Sequence, residues 1–92
     1  MVSKRNPELD DLVRRTIRAD RLRGLRERKG LTQRDLAEVI DVAPLSVVRW
    51  EGGLAFPQVR SLRKLAELYD VSIVYLRTGQ NEVHDPHRRN SG

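Results

Sequence analysis

Pro44 divides the middle of this chain, because a proline cannot continue a helix that precedes it. Three residues earlier Asp41 tolerates the left-handed backbone on which a helix can end. Upstream of this break, Leu31-Thr32-Gln33-Arg34-Asp35-Leu36-Ala37-Glu38-Val39-Ile40 reads as a short helix capped by Thr32, with Asp35 completing a capping box. Leu36, Ala37 and Ile40 line one of its faces. Downstream, a new helix starts at Pro44, runs through Leu45-Ser46-Val47-Val48-Arg49-Trp50-Glu51 and stops at Gly52-Gly53. Two short helices joined by a turn of about four residues form a helix-turn-helix unit.

The same punctuation extends in both directions. Asn6-Pro7-Glu8 is a helix start, with an Asn cap, Pro at the first helical position and acids in the first turn, and Gly30 is the matching stop. Between these ends the apolar residues fall into two sets. Leu9, Leu12, Val13, Thr16 and Ile17 lie on one side of a helical projection, and Leu22 and Leu25 lie nearly opposite. One straight helix cannot bury both in one core, so either the chain breaks near residues 18–20 or its first half shows an apolar face to something else. Pro57 opens a helix over Val59 to Tyr69, with Leu62, Leu65, Ala66 and Tyr69 at helical spacing, and Ser72 caps a last short turn through Leu76 that Gly79 ends. No stretch keeps the alternation of a strand, so the fold class is all-α. From Gln80 the tail is polar, and disorder is expected there.

Composition narrows the function. A chain of 92 residues holds one domain and leaves no room for a second, effector-sensing one. It has no cysteine, hence no disulfide or thiolate metal site, and no signal peptide or membrane span, which reads as a soluble, cytoplasmic protein. The net charge of +5 comes entirely from residues 1–29, where ten basic groups face five acidic ones, and favours a polyanionic partner. His84-Asp85-Pro86-His87 has the look of a metal pair only in isolation, since nothing rigid supports it. With no phosphate loop and no nucleophile constellation, no enzyme activity, metal or cofactor is expected.

An ordered set of residues carries a more specific signal: Arg26, Gly30-Leu31-Thr32-Gln33, Leu36-Ala37, Val42, Val47, Arg49-Trp50-Glu51, Gly53, Pro57, Leu65-Ala66 and Val71-Ser72. Together they closely resemble the phage repressor/Cro-type (XRE) helix-turn-helix family over roughly residues 17–79. The resemblance implies a five-helix Cro/C1-type DNA-binding domain at 17–79, preceded by a helical extension at 1–16 and followed by a flexible tail at 80–92. It further implies a small transcriptional regulator of the repressor, controller or autoregulating antitoxin type, which binds double-stranded DNA with the helix at 44–51 in the major groove.

Site residues follow position by position from that resemblance. Ala43, Pro44, Leu45, Val48 and Arg49 are the base-contacting set, and the Arg49 guanidinium suits guanine O6 and N7. Thr32, Gln33, Ser46 and Arg26 are the backbone-contacting set, Gln33 being the family glutamine that holds a phosphate at a helix end. Arg26 and Glu51 match a family ion pair, structural first, and Trp50 belongs to the core with Leu22, Leu25, Leu31, Leu36, Ala37, Ile40, Val42, Val47, Leu62, Leu65, Ala66, Val71 and Leu76. Two departures stand out: Asp41 replaces the usual turn glycine, and Ala43 replaces the usual Ser/Thr cap. The apolar Pro44, Leu45 and Val48 donate no side-chain hydrogen bonds, so thymine-methyl contacts and plain helix-start packing both remain open. Leu68, Val74 and Tyr75 sit where the family is usually exposed and suggest a homodimer surface, as does the N-terminal stripe of Leu9, Val13 and Ile17. The expected target is an inverted-repeat operator; the alternative is an interaction module of the same fold that takes a protein partner through its N-terminal helix.

Overall fold

The computed structural model describes residues 6–80. Five helices follow one another: α1 (Pro7–Arg28), α2 (Gln33–Ile40), α3 (Pro44–Glu51), α4 (Val59–Tyr69) and α5 (Ile73–Thr78), and no strand occurs among the described residues. Of the tail expected at 80–92, residues 81–92, with His84 and His87, lie outside the described residues.

Local chemistry sets most of the boundaries. The Asn6 side chain accepts hydrogen bonds from the amides of Glu8 and Leu9, and Pro7 opens α1 without wasting a donor. At α2 the capping box is complete: the Thr32 hydroxyl accepts from the Asp35 amide at 3.0 Å, and the Asp35 carboxylate accepts from the Thr32 amide at 3.1 Å. These bonds, the backbone one first, hold the Asp35 carboxyl below its ordinary range. Asp41 then turns left-handed at φ 60, where a glycine is more usual, and the amide of Val42 closes the end of α2 on the Ala37 carbonyl. Lys64, reaching over from α4, donates to the Ile40 carbonyl at 3.0 Å and satisfies another exposed acceptor of that helix end. Asp70 repeats the left-handed turn at φ 57 after α4. Ala43 makes no side-chain cap, so α3 starts on the fixed φ of Pro44 alone. Ser72 caps α5, which continues beyond the expected Leu76 to Thr78 before Gly79.

The first helix is continuous through residues 18–20, so the break is not the solution the chain adopts. Only its second half is docked: Ala19, Leu22 and Leu25 are buried, and α1 packs on α3 and α5 through them. With Leu36, Ala37, Ile40, Val47, Trp50, Leu62, Leu65, Tyr69 and Leu76 they make one core. Leu31, Val42, Ala66 and Val71, expected inside, are half-buried at its margin. Ala19, Pro57, Tyr69 and Glu51, which are buried, were not anticipated as core. No helix among the described residues is long and apolar enough to cross a membrane.

Candidate nucleic-acid interface

Helix α3 is buried on one side and open on the other, with a period that follows 3.6 residues per turn. Val47, Trp50 and Glu51 face inward, whereas Ala43, Pro44, Leu45, Val48 and Arg49 are exposed. All five expected base-contacting residues are thus exposed, Pro44, Leu45, Val48 and Arg49 along one side of α3 and Ala43 at its N-cap. Ser46 lies half-buried beside them, and Thr32 and Gln33 stand at the head of the neighbouring α2, which packs directly on α3. The capping box uses the amides of Thr32 and Asp35 and leaves those of Gln33 and Arg34 pointing off the helix end, where the dipole favours an anion.

A buried polar network fixes the ridge relative to that helix head. The Arg26 guanidinium donates from Nε to Glu51 Oε2 at 2.7 Å, from Nη2 to Glu51 Oε1 at 2.9 Å and from Nη1 to the Leu31 carbonyl at 2.7 Å. Gln33 Nε2 donates to the same Glu51 Oε1 at 3.1 Å. The carboxylate can only accept, so the orientation of the Gln33 amide follows from its partner. One network thus ties the end of α1, the loop before α2, the head of α2 and the end of α3. The side chains of Arg26 and Glu51 are only 11 % and 4 % exposed, so their charges are compensated by geometry rather than by water. The hydrogen bond to Glu51 leads the causes that raise the Arg26 pKa above its ordinary value, against the opposing cost of burial.

This placement refines the expected division of labour. Arg26 is spent on Glu51 and Leu31 and faces inward, which fits its structural role and leaves little for a phosphate. Gln33 has one amide hydrogen engaged by Glu51 and a second free to donate outward, so it joins the frame and the helix head at once. The link from Gln33 to Glu51 was not foreseen, since the two are 18 residues apart and no local spacing signals such a bond. Of the residues expected in a dimer surface, Leu68 and Tyr75 are half-buried against the core of their own chain, whereas Val74 and the N-terminal Leu9, Val13 and Ile17 are exposed. Among the described residues no group of three or more His, Asp and Glu side chains could hold a metal ion.

Comparison with known proteins agrees with this architecture. The helix-turn-helix family HTH_3 matches residues 22–76. The HTH-type transcriptional activator BcrR of Enterococcus faecalis is 34% identical over 64 residues, which are 70% of this chain and 31% of that protein. The mycobacterial cidal antitoxin MbcA of Mycobacterium tuberculosis (strain ATCC 25618 / H37Rv) is 36% identical over 52 residues, 56% of this chain and 46% of that one. The chain thus spans less than half the length of these curated relatives. Among solved structures, the P22 c2 repressor protein in complex with synthetic operator 9T shares the fold at a TM-score of 0.65 and 24% identity, over 68% of this chain and 96% of that chain. With five helices in Cro/C1-type order and a family match spanning 22–76, the chain belongs to the XRE-type helix-turn-helix family.

Proposed function

We propose that this chain is a transcriptional regulator that binds double-stranded DNA sequence-specifically, as a two-fold dimer on an inverted repeat, in the cytoplasm. The observation that carries the reading is the exposed set of Ala43, Pro44, Leu45, Val48 and Arg49 beside the open amides of the α2 head, both held by the Arg26–Glu51–Gln33 network. In this reading α3 enters the major groove, Arg49 reads a guanine, and Leu45 and Val48 meet thymine methyls. Thr32, Gln33 and Ser46 hold phosphates, and Arg26 positions Gln33. The unit that performs this work is 17–79, with 1–16 as an arm and 80–92 as a tail. No enzymatic step is assigned to it.

A second reading is an interaction module that uses the same fold to bind a protein, as the antitoxin relative suggests. The exposed apolar residues of α1 and α3 favour it. Selection of binding sites from random duplexes at two salt concentrations separates the two, because phosphate contacts weaken with salt while base readout sets the motif. Recovery of a palindromic motif supports the regulator. Flat enrichment at both salts transfers the function to the protein-binding reading.

A further inference from the structure

Helix α1 carries Arg14, Ile17, Arg18 and Arg21 at helical spacing, so these four side chains lie on one face. Phe56, from the loop between α3 and α4, and Arg77 and Thr78, at the end of α5, close that face into a groove of about 640 Å³. Among the described residues no acidic side chain lines it, so four guanidinium groups share one concavity without a counter-charge in its wall. Asp10, one turn before Arg14 on that face, stands outside the wall. The volume lies in the range of ligand sites and exceeds what a single ion fills.

Two of the four arginines are fixed by their own chain in ways that leave donors over. Arg18 lies over the Phe56 ring at 4.8 Å, a cation–π contact that takes up no N–H hydrogen bond, and its buried Nε has no hydrogen-bond partner among the described residues. Arg21 gives a single N–H group to the Leu76 carbonyl at 3.2 Å and keeps the rest of its fork. Arg14 and Arg77 are exposed and enter no ion pair or hydrogen bond among the described residues. A fixed pair between two mobile arms suits a row of carboxylates, because the fixed guanidiniums lose little freedom on binding and each can take a carboxylate bidentately. We infer that this groove is a docking site for an acidic segment of another protein, whose Asp or Glu carboxylates pair with Arg14, Arg18, Arg21 and Arg77 while an apolar side chain between them rests on Ile17 and Phe56.

Position separates the groove from the candidate DNA interface. Arg26, which joins the frame at the α2 head, lies about 8–18 Å further along α1 than the groove arginines of that helix and about 120° around it from Arg14. The two sites can therefore be filled by different molecules. The lining separates the ligand classes as well. A phosphate backbone or a free anion would use the guanidiniums alone and leave the half-exposed Ile17 and the Phe56 ring uncovered, whereas a peptide covers charged and apolar wall together. The inference goes beyond the proposed DNA binding and does not depend on it.

Selection of random displayed peptides on the full chain should enrich segments with Asp or Glu on either side of a large apolar residue. A fluorescein-labelled synthetic peptide of the enriched sequence is then the probe for anisotropy titration. Arg14→Glu and Arg77→Glu are each expected to raise its dissociation constant by at least about tenfold, equivalent to about 1.4 kcal/mol, while circular dichroism and melting temperature are retained. Ile17→Glu, which sets a carboxylate in the apolar wall, should weaken the peptide too. Arg63→Glu makes the same charge change at an exposed position of α4 outside the groove, and at physiological salt it should alter the constant by less than about twofold. Failure to enrich acidic peptides, or an equal loss in Arg63→Glu, would overturn the proposal. Competition between peptide and random duplex, with Arg14→Glu and Arg77→Glu weakening the duplex more than Arg63→Glu does, would assign the groove to DNA backbone instead. A peptide bound at least about tenfold tighter by Glu82→Gln/Asp85→Asn would make residues 82–85 of the same chain the occupant, and loss of a sedimentation dimer in Arg77→Glu would make it a second copy; either result overturns the external partner.

Discussion

The two halves of α1 belong to one unbroken helix and live under different physics. Residues 19–28 lay Ala19, Leu22 and Leu25 into the core and send Arg26 to Glu51, so their side chains are held by packing and by a buried ion pair. Residues 7–17 keep four aliphatic side chains in solvent and carry surface pairs such as Asp11–Arg15. Helical backbone alone therefore says little about where stability resides. Tertiary contact decides it, since a helix of ten residues is marginal in water without a packed face.

The comparison is tested most severely by truncating a leucine in each half. Leu22→Ala should cost about 3–4 kcal/mol, because it opens a cavity in a filled core. Leu12→Ala, at a monomer concentration, should change stability by less than about 0.5 kcal/mol. Thermal or urea unfolding of the two variants gives the contrast directly, and equal losses would mean that the arm is docked after all.

Charged pairs sharpen the same contrast. Glu51→Ala should lower stability by about 3 kcal/mol because Arg26 is left buried without its acceptor, and Gln33 loses its partner as well. Asp11→Ala should cost at most about 0.5 kcal/mol. A double-mutant cycle on Arg26 and Glu51 should show strong non-additivity; strict additivity would remove the pair as an energetic unit.

Beyond the frame that Glu51 anchors, Arg49 stands exposed on the ridge and is expected to behave oppositely. Arg49→Ala should leave the melting temperature nearly unchanged and weaken the selected DNA site by about 1–3 kcal/mol, with little effect on non-specific duplex. A uniform loss on all sequences would reassign this guanidinium to phosphate.

Alkaline titration probes the anchored side at smaller amplitude. Burial, and then the nearby Glu51 charge, pushes the Tyr69 phenol up to about 12 from an ordinary value of 10.0. Between those values the unfolded chain releases a proton that the folded chain keeps, so stability should fall as pH rises from 10 to 12, by the order of 1 kcal/mol after solvent screening. The Tyr69 hydroxyl is buried with no hydrogen-bond partner among the described residues. Tyr69→Phe should accordingly abolish that alkaline component without loss of stability at pH 7, read from denaturation curves at both pH values.

The smallest expected effect falls between the halves, at a glycine inside the helix. A Cβ at Gly24 meets no atom within 4 Å, and its backbone is helical. Gly24→Ala should stabilise the protein by about 0.5–1 kcal/mol. Gly79 offers the counter-example: its φ of +76 strains any residue with a Cβ, and that Cβ would also displace the Arg21 guanidinium, so Gly79→Ala should destabilise. Calorimetry of both variants checks the two signs.

Most of the fold was legible because its signals are local. The Asn6 and Thr32 caps, the left-handed Asp41, the Pro44 start and the Gly53 and Gly79 stops each depend on residues within one turn of one another. The base-contacting set on and before α3 was legible only through the resemblance, and its five residues are exposed. What escaped has a common cause. Gln33 on Glu51, Lys64 on the Ile40 carbonyl and Arg21 on the Leu76 carbonyl join residues 18, 24 and 55 positions apart, and no periodicity encodes such bonds. Leu68 and Tyr75 look surplus in a helical projection yet find cover at the core margin, because neighbouring helices shield positions that a projection of one helix leaves open.

For α1 the sequence alone determined that its two apolar sets cannot share one core, because side-chain direction follows from 100° per residue. It could not determine whether the chain would break at residues 18–20 or stay whole, since both solutions satisfy every local preference. The tertiary structure decided for a whole helix. Arg26 and the docked Leu22 and Leu25 fix the axis of its second half, and the first half continues along that axis with its apolar stripe in solvent.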